Sequence, residues 1–413
     1  MSAAPAGSEL PLIEAFGASI SPSIRSSTIL IVGDAPLGNG LIVRILRRAG
    51  FADIHTVEGA QAMSRIEALK PELVLIESEL LELDRIQLCI AIRSDPRFAN
   101  LPIIVQTELG NRVDGPTLFA IKVSDILVKP INPNELVTRV ANHLERVELL
   151  RELRQYHDRT REELGAARRM QLDLLPSLPI DHGMAAMHGL RVATFYQPSS
   201  EIGGDVWGVL PIDQSCFGVF LVDFAGHGVT AALNVFRLHA LVLELKMLHR
   251  DPAALLRRLN DALVPVLPCG QFATFFYAVI DMAESRLRFA SAGAPPPVLR
   301  PADGSAARLL DSAGIPLGVM QGPRYQQHEH GFDPGAMLLL FSDGLSEFPD
   351  ENGDRIGEEG LLRLVSRCET GLAPDAVVMR VREAAGIDVD GRLPDDTMVI
   401  CIDRERDAER PHA

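Results

Sequence analysis

The chain has 413 residues, 47% hydrophobic and 23% charged, a balance that fills two or three globular cores and excludes general disorder. Its formal net charge of −15 argues against nucleic acid as a partner, because no basic cluster outside the central helix offsets that field. Five cysteines are scattered and never spaced CxxC, which points to buried thiols in a reducing cytoplasm. None is followed six residues later by arginine, so the Cys-x5-Arg loop is excluded as a source of chemistry. No apolar run reaches membrane-spanning length, and the first residues lack the basic start of a signal peptide. Residues 1–26, rich in Ser, Ala and Pro, are expected to form a flexible tail.

From Thr28 onward, short apolar runs alternate with amphipathic stretches. The predicted strands are Ile29–Val32, a weaker one near Ile54–Val57, Leu73–Ile76, Pro102–Val105 and Asp125–Val128. Between them, Leu37–Ala49, Gly59–Leu69 and Arg85–Arg93 read as helices. Continuous apolar strands alternating with helices predict an α/β doubly wound, five-stranded parallel sheet covered on both faces. Chemistry in such a sheet sits beyond the C-terminal strand ends. Asp34, Glu77, Thr107 and Lys129 stand there.

The segments ILIVGDAP, PELVLIESELLELD, IIVQTEL and LVKPINPNEL resemble the receiver domain of two-component response regulators over residues 27–146. That resemblance implies an acidic pair after strand one for magnesium, an Asp phosphoryl acceptor after strand three, and a Thr/Ser and a Lys contacting the phosphoryl group. Thr107 and Lys129 match, and Pro130 follows the lysine. The acidic pair is reduced to Gly33-Asp34 and the acceptor position holds Glu77, with Asp84 a poor substitute further on. Glutamate is longer by one methylene, and a misplacement of about 1 Å can cost roughly 100-fold in rate. The expectation is a degenerate pseudo-receiver that takes no phosphate, with Glu77 pairing with Lys129 or imitating a phosphorylated state.

Glu135–Leu174 contains no proline and only Gly165, predicting one long helix with a linker proper at 147–178. Leu150, Leu153, His157, Thr160, Leu164, Ala167, Gln171 and Leu174 recur at three- and four-residue spacing, the pattern of a coiled-coil seam. Val140, Leu144 and Val147 continue it upstream, and the three-plus-three step through Leu150 is a stammer that overwinds a coiled coil. The reading is a parallel homodimer through this connector; a lone helix packed on its own domains is the alternative. Its end, AARRMQLDLLP, is similar to a regulatory segment that precedes the catalytic domain of sporulation-type phosphatases.

Residues 185–403 change rhythm, with 404–413 left as a tail. Strands are predicted at Leu190–Tyr196, Phe217–Val222, Phe272–Asp281, Leu287–Ser291, Met337–Phe341 and Met398–Ile402, and another opens at Gly203-Gly204-Asp205. Helices are expected at Gly228–His249, Pro252–Val266, Glu358–Cys368 and Pro374–Ala385, giving an α+β sandwich. Asp205, Asp223, Asp343 and Asp395-Asp396 stand at strand ends or beside glycine. One such Asp is a turn former. Several together suit hard divalent cations such as magnesium or manganese. Two ions about 3.5–4 Å apart clamp a phosphoryl group without a Ser or Cys nucleophile.

The ordered segments SSEIGGDVWGV, GVFLVDFAGHGVTAAL, GQFATFFYAVID, ASAGAPPPVL, GIPLGV, LLLFSDGLSEFPDENGDRIGEEGL and LPDDTMVI resemble the PPM (protein phosphatase 2C-like) superfamily in its bacterial sporulation-phosphatase branch. The resemblance implies a metal-dependent protein Ser/Thr phosphatase with two Mn2+ or Mg2+ ions. Asp205 would hold one ion and Asp223 would bridge both with help from the Phe224 carbonyl. Asp343 and Asp395 would hold the other, with Asp396 as the alternative to Asp395. His227 is a candidate general acid. Gly208 and Ala294 replace an Asp and a His of the family pattern. The implied substrate is a phosphorylated anti-sigma-factor antagonist-type protein in a cytoplasmic partner-switching pathway. A non-catalytic adaptor is the alternative function, separated from the enzyme by retention of the carboxylates.

Overall fold

The computed structural model describes residues 19–34, 36–77, 80, 85–108, 118, 120–177, 189–226, 228–268, 270–349, 355–369, 371–387 and 393–406, with 36–39 described by backbone alone. Asp84, His227 and Cys269 lie outside the described residues. The chain divides into two compact units, Met1–Arg159 and Thr160–Ala413.

The first unit runs β1 (Ile29–Val32), α1 (Pro36–Arg48), β2 (Ile54–Val57), α2 (Ala62–Leu69), β3 (Leu73–Ile76), α3 (Arg85–Ser94), β4 (Ile103–Glu108) and β5 (Asp125–Lys129). Its sheet has the order β2-β1-β3-β4-β5, and every pair is parallel. Side chains alternate across β1. Ile29 and Ile31 enter one core, while Leu30 and Val32 enter the other. Both faces are therefore buried, which is why the strand sequences are continuously apolar.

Helix α4 (Pro133–Leu172) is 40 residues long, and Asn132 caps its start through its side-chain oxygen. Its first turns place Leu136, Val137, Val140, Ala141 and Leu144 in the core of the first unit. This corrects the expected upstream seam: Val140 and Leu144 are core residues, because a helix lying on a sheet needs the same spacing as a coiled coil. Leu149, Leu150, Leu153 and Tyr156 are exposed. Gln171, expected on the seam, is instead only 2% exposed and packs within the second unit.

The second unit contains β6 (Leu190–Gln197), β7 (Asp205–Pro211), β8 (Cys216–Phe224), α5 (Val229–Glu244), α6 (Pro252–Leu263), β9 (Ala273–Asp281), β10 (Arg286–Ala292), β11 (Val298–Arg300), β12 (Arg308–Leu309), β13 (His328–Gly331), β14 (Met337–Phe341), α7 (Asp343–Ser346), α8 (Gly357–Ser366), α9 (Pro374–Ala384) and β15 (Thr397–Arg404). Two antiparallel sheets form, ordered β13-β10-β9-β8-β7 and β12-β11-β14-β15-β6. Alternation along β8 builds the layers. Phe217, Val219 and Leu221 join Leu338, Leu340 and Ile400 between the sheets. Phe220, Val222 and Phe224 meet Val235, Leu238, Leu256 and Leu259 of α5 and α6. The second sheet is covered outside by α8 and α9 through Leu361, Val365, Val377 and Val381. The result is an αββα sandwich, with Trp207 of β7 buried between the sheets. Gly208 has a packing reason: a Cβ there would lie 2.4 Å from the Phe220 ring across the β7–β8 pair. Among the described residues no helix is long and apolar enough to cross a membrane.

Candidate active site

Register sets the centre of the site. In the β7–β8 ladder Asp205 stands directly opposite Asp223. Like charges opposite one another in a sheet repel, so such a pair calls for a counter-charge or a shared proton. Asp205 is 1% exposed, and neither of its carboxylate oxygens makes a well-formed hydrogen bond. Asp223 and the Ser342 hydroxyl are near enough to bias its ionisation without satisfying it. Burial, then the charges of Asp223 and Asp396, push Asp205 well above the usual carboxylate range. Asp223 is raised as well, by burial and by the negative charges of Asp343 and Asp395.

The second sheet supplies the other acids. Strand β14 ends at Phe341, Ser342 is the N-cap, and Asp343 is the first residue of α7, not the last of a strand. The Ser342 hydroxyl accepts from Met398 N at 2.9 Å, and Ser342 N donates to Met398 O at 3.0 Å, tying this turn to β15. Gly344 is required by closeness, since a Cβ there would lie 2.1 Å from the Asp396 carbonyl oxygen. The residues DG therefore do two jobs: the acid is presented, and the glycine lets the neighbouring strand approach.

Asp395 and Asp396 differ sharply in surroundings. Asp396 is buried and fully engaged: one oxygen accepts from Ser199 N at 2.7 Å and Ser199 Oγ at 2.9 Å, and the other accepts from Gly204 N. Asp395 is exposed and accepts from Asp396 N at 2.8 Å. Its carboxyl is raised by partial burial and by the charges of Asp343, Asp396 and Glu347, against the pull of that amide. Asp396 thus braces the Ser199–Gly204 loop, while Asp395 faces Asp343. The Phe224 carbonyl lies against Gly204, where a Cβ would come within 2.8 Å of it.

Among the described residues no three His, Cys, Asp or Glu side chains converge as a ready-made coordination shell. The acids meet instead as a chain of neighbours, Asp205 with Asp223 and Asp223 with Asp343. A buried acid with two unsatisfied oxygens facing a second acid fits a divalent cation better than any protein partner present. A cleft of about 570 Å³ adjoins Asp343 and is lined by Thr274, Ala294, Asp311, Ser312 and Glu358 among others. Ala294, where the family pattern has His, therefore stands at the mouth of the site.

Gln171 was not legible as a site residue. Its side chain clamps the Gly203 backbone from both sides: Nε2 donates to Gly203 O at 2.7 Å, and Gly203 N donates to Oε1 at 3.2 Å. Gly203 is two residues from Asp205, so the end of α4 holds the loop that carries the buried acid. Two signals bore on it: a polar residue at a seam position where an apolar one is preferred, and its place in AARRMQLDLLP, which resembles a regulatory segment.

In the first unit Asp34 and Glu77 follow β1 and β3, Thr107 is the last residue but one of β4, and Lys129 ends β5, all at the same edge of the parallel sheet. Asp34 accepts from Gly59 N at 2.9 Å. Glu77 is buried, and its amide donates to Val32 O at 2.9 Å.

Residues 213–405 match the family Stage II sporulation protein E (SpoIIE), and residues 29–141 match the response regulator receiver domain. The first match includes Asp223, Asp343, Asp395 and Asp396 and begins after Asp205. One chain thus carries a receiver-like stretch followed by a SpoIIE-like stretch. Phosphoserine phosphatase RsbP of Bacillus subtilis (strain 168) is 27% identical over 197 residues, 47% of this chain and 47% of that protein. Phosphoserine phosphatase RsbU of the same organism is 27% identical over 164 residues, 40% of this chain and 49% of RsbU. The SiaA-PP2C domain of Pseudomonas aeruginosa shares the fold, with TM-score 0.51 and 22% identity over 60% of this chain and 97% of that domain. The chain spans about half the length of the curated relatives it matches.

Proposed function

We propose that the chain is a metal-dependent protein serine/threonine phosphatase whose receiver domain controls it through α4. The observation that carries this reading is the Asp205–Asp223 pair, a buried unsatisfied acid directly across the ladder from a second acid. Asp205, Asp223, Asp343 and Asp395, with the Phe224 carbonyl, would hold two Mn2+ or Mg2+ ions. Asp396 acts behind them by fixing the loop before Asp205. Bound divalent cations would supply Lewis acidity and charge neutralisation at phosphorus. The chain's own part is to hold four carboxylates, two on paired strands and two beside the ends of β14 and β15, and to admit a phosphorylated side chain by the cleft beside Asp343. The names of RsbP and RsbU favour phosphoserine. The resemblance noted from the sequence favours a phosphorylated anti-sigma-factor antagonist-type protein as substrate, in the cytoplasm.

The exposed leucines Leu149, Leu150 and Leu153 of α4 support pairing of two copies through this helix. The competing function is an adaptor without catalysis, against which the retained Asp205, Asp223, Asp343 and Asp395 count. Phosphate release from a phosphoserine antagonist protein, with and without Mn2+, separates the two. Manganese-dependent release lost in Asp343→Ala supports the enzyme. No release, together with no manganese binding by calorimetry, overturns it in favour of the adaptor.

A further inference from the structure

The receiver domain departs from its family at two positions, and the two departures fit each other in space. Gly33 follows β1 and Glu77 follows β3, adjacent parallel strands whose register pairs Val32 with Ile76. A Cβ built on Gly33 would lie 2.4 Å from Glu77 Oε2, 2.5 Å from its Cδ and 2.6 Å from its Cγ. Real Cβ atoms do not approach other heavy atoms so closely, so no side chain larger than glycine coexists with Glu77 in this position. Glu77 would have to move to admit one, and at 2% exposure it would move within a packed interior. Aspartate at position 77 would end its carboxylate one methylene nearer β3. The added methylene carries the carboxylate up to the Gly33 Cα, into the volume where a side chain on β1 would begin.

We propose that Gly33 and Glu77 are a matched pair that fills the receiver site from within. The carboxylate missing from β1 is replaced, in the same volume, by one delivered from β3. Either position changed alone makes the site worse. An acidic side chain at 33 collides with Glu77, and aspartate at 77 leaves a void beside Gly33. Changed together, they reopen a site with acids on both strands. The inference rests on the receiver match of residues 29–141 and is independent of the phosphatase reading.

A double-mutant cycle on the full chain tests the pairing. Gly33→Ala lowers the thermal midpoint in the wild-type background and has at most a small effect in the Glu77→Ala background. Failure of Gly33→Ala to fold, with recovery in Gly33→Ala/Glu77→Ala, is the same result in stronger form. Equal losses in both backgrounds, or no loss in either, overturn the proposal. A second measurement uses radiolabelled acetyl phosphate with Mg2+, scoring acid-stable, base-labile label mapped to position 77. Transfer moves the phosphoryl group to the position-77 carboxylate and releases acetate. Wild type takes no label, and Gly33→Asp/Glu77→Asp takes at least tenfold more than either single variant. Label on the wild type, or as much on Glu77→Asp alone as on the double variant, overturns the matched pair.

Discussion

The two units both set acidic side chains at strand ends, and they treat the resulting charge in opposite ways. In the second unit Asp205 and Asp223 face each other across a ladder, with Asp343 and Asp395 near Asp223. In the first, one acid has given way to Gly33 and the space is taken by Glu77. The crowded site stores repulsion that a divalent cation relieves. In the first unit the space that a side chain on β1 would need is already occupied. The contrast lies in how strand-end acids are arranged: opposed across a ladder, or set singly against a glycine.

The largest effect should come from removing the acid shared by both halves of the crowded site. Asp223→Asn is expected to lower kcat for phosphate release by about 10²–10³-fold or more, the scale for losing a principal stabiliser of transition-state charge. The same variant without metal should be more stable than wild type, because a buried like-charge contact is gone. A metal-free Asp223→Asn that melts below wild type would break the contrast between the sites.

The next test is pH. Asp205 and Asp223 are both raised in the folded protein, so the folded state keeps protons that the unfolded chain releases above about pH 3.9. Their contribution to metal-free stability is complete below that value and is lost as pH rises through the raised folded range. Thermal midpoints should fall with pH in chelator and not in saturating Mn2+. Parallel curves in the two conditions would show that the cation does not answer this repulsion.

Gln171→Ala should act more mildly, on the loop and not on the acids. It strips two hydrogen bonds from the buried Gly203 peptide, a loss of about 1–3 kcal/mol in stability, and lowers activity through Asp205 placement. Weakened Mn2+ binding at unchanged secondary structure would mark positioning, while unchanged binding would confine Gln171 to stability. The smallest change in stability belongs to Leu153→Asp, within about 0.5 kcal/mol, because this side chain is 63% exposed. Sedimentation should nonetheless shift from dimer to monomer if two copies pair along α4. A wild type that is already monomeric at micromolar concentration removes that pairing.

Much of this architecture was readable where burial is two-sided. Met337–Phe341 is a strand of the expected length, and the strands of the parallel sheet sit on the apolar runs that announced them. Two edge strands were not expected: His328–Gly331 and Arg308–Leu309 pair along one side only, and HEHG and RL carry no apolar run. The acids could be named in advance, since Asp beside Gly at an apolar strand end is conspicuous. Their pairing across β7 and β8 could not, because register depends on both strands. The different surroundings of Asp395 and Asp396 also needed coordinates, because sequence does not say which of two adjacent identical residues the Ser199–Gly204 loop engages.

The sole tryptophan of the chain is Trp207, buried between the sheets two residues along β7 from Asp205. Intrinsic indole emission therefore arises entirely from the second unit, and the first unit is silent at those wavelengths. Excitation at the red edge of protein absorbance gives a label-free optical window onto one half of the molecule. Melting of that half, or a shift of β7 when the acids beside it are filled, can be followed in the intact chain without attaching a dye.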